Sequence, residues 1–185
     1  MSAADVLKET QERFDKSLEH LGEMLKGIRT GRASSALVDN IKVDYYGTPT
    51  PINQLASVTI PEARQIMVKP FDVSILKELS KALAKSDLGA APADDGKQVF
   101  LNLPPLSGDQ RKKLAGKCKE FCEDGRVALR NGRRDSNKKA DAEKKDGTLT
   151  DDEHKKLLED IQKMLKEYEG KVDQLLEKKN AEILE

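Results

Sequence analysis

All seven prolines of this chain lie between residues 49 and 105, and that confinement decides most of what the chain can become. Proline fixes φ and has no amide hydrogen, so it breaks a helix interior. Long helices are therefore open only to the two flanks. In the first flank Leu7, Phe14, Leu18, Leu21, Leu25 and Ile28 step by sevens, fours and threes, which is a heptad seam. Ser2–Asp5 is a capping-box start. Glycine is the usual residue just past a helix, so the helix is expected to close at Thr30–Gly31.

The second flank holds two more helices. Ser107–Gln110 is a capping box that opens a helix running to Lys145, with Asp146-Gly147 ending it. Leu114, Cys118, Phe121, Gly125, Ala128 and Gly132 form its expected seam. Thr150–Glu153 is a third capping box. The helix behind it carries Ile161, Leu165, Tyr168, Val172 and Leu175 on one face and runs to about Leu184. A connection of a few residues makes the second and third helices antiparallel neighbours. Composition agrees: 37% hydrophobic, 4% aromatic and 36% charged residues suit long solvated helices better than a thick globular core.

The proline-bearing middle has a different period. Ile41, Val43 and Tyr45 alternate, as do Val58 with Ile60, Ile66 with Val68, and Val99, Leu101 and Leu103. Period two predicts short strands. Gly47-Thr48-Pro49 and Asp95-Gly96 supply turns. A single helix is expected over Val73–Lys85, with Asp72 as N-cap and Ile75, Leu76, Leu79 and Leu83 inward. The expected fold class is α+β. An antiparallel, coiled-coil-like three-helix bundle is built from residues 1–30 and 106–185, with a small β/α/β domain inserted at 31–105. The chain then crosses twice, through Thr30, Gly31 and Arg32 and through Pro104 and Pro105, which together form a two-strand hinge.

Little here supports catalysis. His20 and His154 are the only histidines, each in a charged helical context. The phosphate-loop, zinc-protease, nucleophile-elbow and dinucleotide motifs are absent. Asp151-Asp152-Glu153 lacks calcium-loop spacing and complements a helix dipole. No catalytic residue, metal ligand or cofactor is expected. Cys118 and Cys122 are four apart on one helix, a poor geometry for a disulfide, and are expected as reduced thiols with Cys118 in the seam and Cys122 at its margin. The first residues lack a signal pattern, and no apolar run approaches the ~20 residues of a membrane span, so a cytoplasmic protein is expected.

The informative surface feature is a stripe of arginines. Arg126, Arg130, Arg133, Arg134 and Asn137 project within about 100° of each other on the second long helix, behind its seam. From Arg111 to Lys145 there are 13 Lys/Arg against 6 Asp/Glu, although the whole chain has net charge +0. The bland alternative is a solvated face satisfied by Glu123 and Asp135. Against it, arginine rather than lysine dominates the centre of this helix, and Arg29 and Arg32 end the first. Antiparallel packing would bring Arg29, Arg32, Arg130, Arg133 and Arg134 together as a phosphate-reading surface, with Arg133 largely exposed. A coiled-coil adaptor that binds only proteins would show the same heptads, but not the inserted β domain.

Several longer words are more specific. Ile28–Ser34 (IRTGRAS), Tyr45–Ala56 (YYGTPTPINQLA), Ser86–Gly89 (SDLG), Leu103–Leu106 (LPPL) and Val127–Asp135 (VALRNGRRD), in this order and spacing, closely resemble the bacterial ribosome recycling factor family. The resemblance implies an L-shaped, two-domain, monomeric translation factor close to transfer RNA in size. It implies that with elongation factor G the protein splits the post-termination ribosome into subunits. It further implies that Arg29, Arg32, Arg130 and Arg133 contact large-subunit ribosomal RNA, while the smaller domain swings on the joint and meets the translocase. DNA and membranes are not implied as partners. One position departs: Gly132 stands on the seam where the family usually has a bulky aliphatic residue. Two glycines, Gly125 and Gly132, cost about 1 kcal/mol each against alanine in a helix interior, so either the helices approach closely there or the bundle is locally weak.

Overall fold

A computed structural model describes residues 1–185. The chain divides into two compact units. One comprises Met1–Leu25 and Ala115–Ala181; the other comprises Lys26–Leu114 and Glu182–Glu185. The fold class is α+β, as expected: long helices pack together, and a small antiparallel sheet unit accompanies them.

The greater part of three helices builds the first unit: α1 (Ala3–Lys26), α4 (Gly108–Lys145) and α5 (Asp151–Leu184), whose residues 26, 108–114 and 182–184 fall in the second. Each opens on the expected capping box. Asp5, Gln110 and Glu153 reach back to the amides of Ser2, Ser107 and Thr150, whose hydroxyls accept from the third residue on. Two of the orphan amides at each start are thus satisfied. Gly147 ends the second with φ +74, and its amide donates to the Lys144 carbonyl at 3.1 Å. The first helix stops at Lys26 rather than Thr30, and Gly27 follows directly, so the nearer glycine marks the end.

Helices α1 and α4 run antiparallel. Glu9 meets Lys139, Thr10 meets Ser136, Arg13 meets Asp135, Phe14 meets Gly132 and Leu21 meets Gly125. Phe14, Leu129, Leu157 and Ile161 are fully buried between the helices. Each such side chain contributes roughly 1.5–3 kcal/mol through burial. Tyr168 packs its ring 5.3 Å from that of Phe14 and donates its hydroxyl to Asp15.

The seams differ from expectation: Leu18, Leu114 and Leu175, expected within them, are only half-buried, and two rows are displaced. Val6 and Thr10, not Leu7, begin the buried row of α1. The Thr10 hydroxyl donates to the Val6 carbonyl at 2.7 Å and is hydrogen-bonded to Ser136, so a polar residue sits in the core fully partnered. In α4 the buried row is Cys118, Cys122, Leu129, Gly132, Ser136 and Ala140, while Phe121 is half-buried and Ala128 exposed. A helix with two neighbours buries a wider arc than one coiled-coil seam. Here that arc is rotated by roughly 60° toward the arginine side at 3.6 residues per turn. Cys122 is therefore core, not margin.

The second unit contains a hairpin of β1 (Lys42–Tyr45) and β2 (Thr48–Pro51), and an antiparallel sheet in the order β3 (Ala56–Glu62), β4 (Gln65–Pro70), β6 (Val99–Asn102), β5 (Pro92–Asp94). The hairpin turns at Tyr46 and Gly47, both with positive φ. Thr48 and Pro49, expected at a turn, lie instead in β2 together with Pro51; a two-stranded sheet leaves both strands as edges, where proline is tolerated. A short helix, α2 (Ile52–Leu55), was not foreseen because four residues carry no period. The helix α3 (Leu76–Ala84) is preceded by a 3-10 turn over Val73–Ile75, which Asp72 caps by accepting from the Ser74 amide at 2.9 Å. Val43, Ile66, Val68, Leu79, Leu83, Val99 and Leu101 form the core of this unit. Ile60, expected to face inward, is exposed beyond a bulge that shifts the β3–β4 register between Thr59 and Glu62.

Candidate nucleic-acid interface

The rotated arc of α4 changes what its arginines can do. Arg133 and Arg126 stand at the margin of the buried arc, Arg130 further round, and Arg134 on the far side. The stripe is not behind the seam but beside it, and its inner members reach α5.

Arg126 is half-buried, with a side chain 18% exposed. Its guanidinium bridges Glu123 and Asp173, and the hydrogen bond to Asp173 holds its proton more firmly than usual. Arg130 pairs with Glu169 and Glu123, each at 3.3 Å, with a side chain 44% exposed. Arg133, expected to be largely exposed, is half-buried: its Nη1 donates to Gln162 at 2.9 Å, and its Nε is buried without a partner. Arg134 is exposed and engages no carboxylate. Asp135, a sequence candidate for satisfying the stripe, pairs with Arg13 at 2.8 Å instead.

Chemically, these four arginines differ. Exposed ion pairs are worth about 0–1 kcal/mol, so Arg130 can exchange its carboxylates for a phosphate at small cost. A free guanidinium such as that of Arg134 presents its planar fork of donors directly. Arg126, tied on both sides, acts as a cross-helix fastener.

Arg29 and Arg32 belong to the second unit. Arg32 has a side chain 75% exposed and only a long 3.6 Å approach to Glu185. Arg29 is half-buried. Its Nη1 donates to the Leu88 carbonyl at 3.2 Å, its Nη2 donates to the Pro104 carbonyl, and its Nε is buried without a partner. Burial pushes its guanidinium below the ordinary value. Thr30, Gly31, Arg32, Pro104 and Pro105 lie in the same unit, and Thr30 Oγ1 accepts from the Arg32 amide at 3.4 Å. No group of His, Cys, Asp and Glu is arranged to hold a metal ion, and no helix is long and apolar enough to cross a membrane.

Comparison with known proteins decides the family. Residues 21–184 match the model of the family described as ribosome recycling factor. The chain is 44% identical over 184 residues to the ribosome-recycling factor of Bdellovibrio bacteriovorus, covering 100% of this chain and 99% of that one. It belongs to the ribosome recycling factor family. The Geobacillus kaustophilus relative is 40% identical over 99% of each chain. Among solved structures, a solution structure of a ribosome recycling factor matches with TM-score 0.78, 34% identity and coverage of 100% and 98% of the two chains. A second match, with TM-score 0.69, 42% identity and full coverage of both chains, comes from models of the T. thermophilus ribosome recycling factor and the E. coli elongation factor G bound to the E. coli post-termination complex.

For a ribosome recycling factor the resemblance read from the short words is borne out along the whole chain. What the words missed are the partners across helices. Gln162, Glu169 and Asp173 step seven and four along α5, a polar row beside its buried seam. That heptad spacing was the available signal.

Proposed function

We propose that this protein is a cytoplasmic translation factor, without enzymatic activity or cofactor of its own, that acts with elongation factor G to split the post-termination ribosome into subunits. The carrying observation is the end-to-end family match, together with a neighbour of 42% identity bound with elongation factor G to a post-termination complex. The bundle docks on large-subunit ribosomal RNA through Arg130, Arg133 and Arg134, and Arg32 contributes from its own unit. Exposed guanidiniums in weak or absent ion pairs at Arg32, Arg130 and Arg134 support this reading, since phosphate replaces such partners readily, while half-buried Arg133 is held only by the neutral amide of Gln162. Arg29 is left out of the set because two carbonyl oxygens already hold it. The residues Thr30, Gly31, Arg32, Pro104 and Pro105 form the joint between domains 1–30 with 106–185 and 31–105. The translocase supplies the hydrolysis of GTP, and this chain supplies the contact that disrupts the bridges between subunits.

Sedimentation with purified ribosomes tests the reading. The protein should pellet with ribosomes at low salt and be released as salt rises, because each phosphate contact freed takes up counterions. Protein that stays in the supernatant at every salt concentration would mark it as a coiled-coil adaptor for other proteins.

A further inference from the structure

Three of the sequence words that carried the family resemblance are far apart in the chain, and one side chain, belonging to the first, contacts the other two. Arg29 belongs to IRTGRAS. Its two terminal nitrogens donate to the carbonyls of Leu88, in SDLG, and Pro104, in LPPL. Gly89 follows Leu88 with φ +70, and a Cβ there would stand 3.5 Å from Arg29 Nη1. A left-handed residue at this point turns the Leu88 carbonyl toward the guanidinium, and glycine adopts that conformation without strain. Pro104 has no amide hydrogen, so its carbonyl is its only backbone hydrogen-bonding group, while the Leu103 amide before it donates to the Arg64 carbonyl at 2.7 Å.

We infer that Arg29 is a positioning residue, a clamp that fixes the departing segment 29–32, the returning segment at Pro104 and the 86–89 turn in one arrangement. It is not one of the phosphate-reading arginines. Three features of its surroundings support this. Both terminal nitrogens donate to protein oxygens, and Nε is buried without a partner, so a bidentate phosphate would have to compete with backbone carbonyls for the fork. The acceptors are neutral carbonyls rather than carboxylates, so the contact demands the planar fork and not merely a positive charge. An ammonium at the end of a lysine stem carries its donors on one atom and cannot hold two separated carbonyls in the same way. Two of the three held segments include residues proposed for the joint, and the 86–89 turn is tied to both through Arg29, so the clamp sets the path that the chain takes there. The link to ribosome splitting rests on the function proposed above; the clamp itself does not.

The test uses the full-length protein and the variants Arg29→Lys, Arg29→Ala and Gly89→Ala. Hydrogen exchange is read in peptides covering 28–34, 86–91 and 100–106, and ribosome binding is titrated at several salt concentrations. The clamp predicts that both Arg29 variants speed exchange in all three peptides by roughly tenfold or more, with peptides from the interiors of α4 and α5 unchanged. Gly89→Ala, which alters no charge, should produce the same loss in 28–34 and 86–91. The salt slope of ribosome binding should stay that of the wild type in every variant, while the rate of subunit splitting falls. Unchanged exchange in the Arg29 variants overturns the clamp. So does wild-type exchange in Arg29→Lys, which would mean that charge alone suffices. A salt slope lower by about one in Arg29→Ala but not in Arg29→Lys returns Arg29 to the phosphate readers. If the wild type itself fails to bind ribosomes, the proposed function fails, and the exchange data still decide the clamp.

Discussion

A Cβ atom at Gly132 would stand 2.9 Å from Cε1 of Phe14, closer than packed side chains approach. Phe14 is 0% exposed, so its ring has nowhere to retreat. The glycine on this seam is therefore the condition for α1 and α4 to close around a buried aromatic ring, and not a local weakness. Gly125 repeats the device more loosely, with a Cβ at 3.1 Å from Leu21 Cδ2.

Gly132→Ala should destabilise the protein although alanine is the better helix former. The propensity gain is about 1 kcal/mol, and overpacking a filled core costs about 1–3 kcal/mol. The net loss should be about 0–2 kcal/mol in a denaturant melt. Gly116→Ala and Gly170→Ala are the controls, since nothing lies within 4 Å of a Cβ at either position. Each should gain up to about 1 kcal/mol. Equal gains at all three positions would show that the α1–α4 contact has slack.

Tyr168 links stability to alkaline pH. Burial, reinforced by the bond to Asp15, raises its hydroxyl from 10.0 to about 12. The folded state therefore holds this proton more tightly than the unfolded chain. Its contribution is complete below pH 10 and is lost as pH rises through about 12. Tyr168→Phe should lose about 1 kcal/mol at neutral pH, where the hydrogen bond is intact. The gap between wild type and variant should then close as pH passes from 10 to 12. A gap that stays constant across that range would contradict the assignment.

The thiols offer a chemical check. Cys118 and Cys122 are both buried, and burial raises the Cys122 thiol above its ordinary value. A raised thiol forms little thiolate, the reactive species. Native, unreduced protein should react slowly with a thiol reagent and reveal both groups promptly on denaturation. A denatured sample with no reactive thiol would mean that the pair is oxidised.

The capping boxes at Ser2, Ser107 and Thr150 were legible because each is a short-range exchange of hydrogen bonds between residues three apart. The seam of α5 was legible for a similar reason: Ile161, Leu165, Tyr168 and Val172 repeat regularly, and all are buried. The seam of α4 was not, since small and polar residues fill it. Ser136 is buried against Thr10, and no hydrophobic count would select either residue. The arginines were legible as a stripe but not as individuals. Whether one is tied depends on α5 residues such as Glu169 and Asp173, about forty positions away in sequence. Arg29 looked like a cation at the end of a helix, and only the folded path of Leu88 and Pro104 reveals its two acceptors.

Arg134 and Arg126 should separate binding from stability. Arg134→Ala should leave the melting curve within about ±0.5 kcal/mol of wild type, as surface changes usually do. It should weaken ribosome binding by roughly 1.5–3 kcal/mol if the side chain makes a charge-assisted phosphate contact. Arg126→Ala should do the reverse, lowering stability through Glu123 and Asp173 while binding holds. Matched melts and ribosome titrations of the two variants decide this. Reversed outcomes would place the binding face on the wrong side of α4.

The most direct measurement is the splitting of post-termination ribosomes into subunits, followed by light scattering, with purified elongation factor G and GTP. The account predicts that scattering falls only when this protein, the translocase and GTP are all present, and that the rate declines with salt as the arginine contacts are screened. Scattering that stays level with all three components present, using a translocase from the same organism, would contradict it.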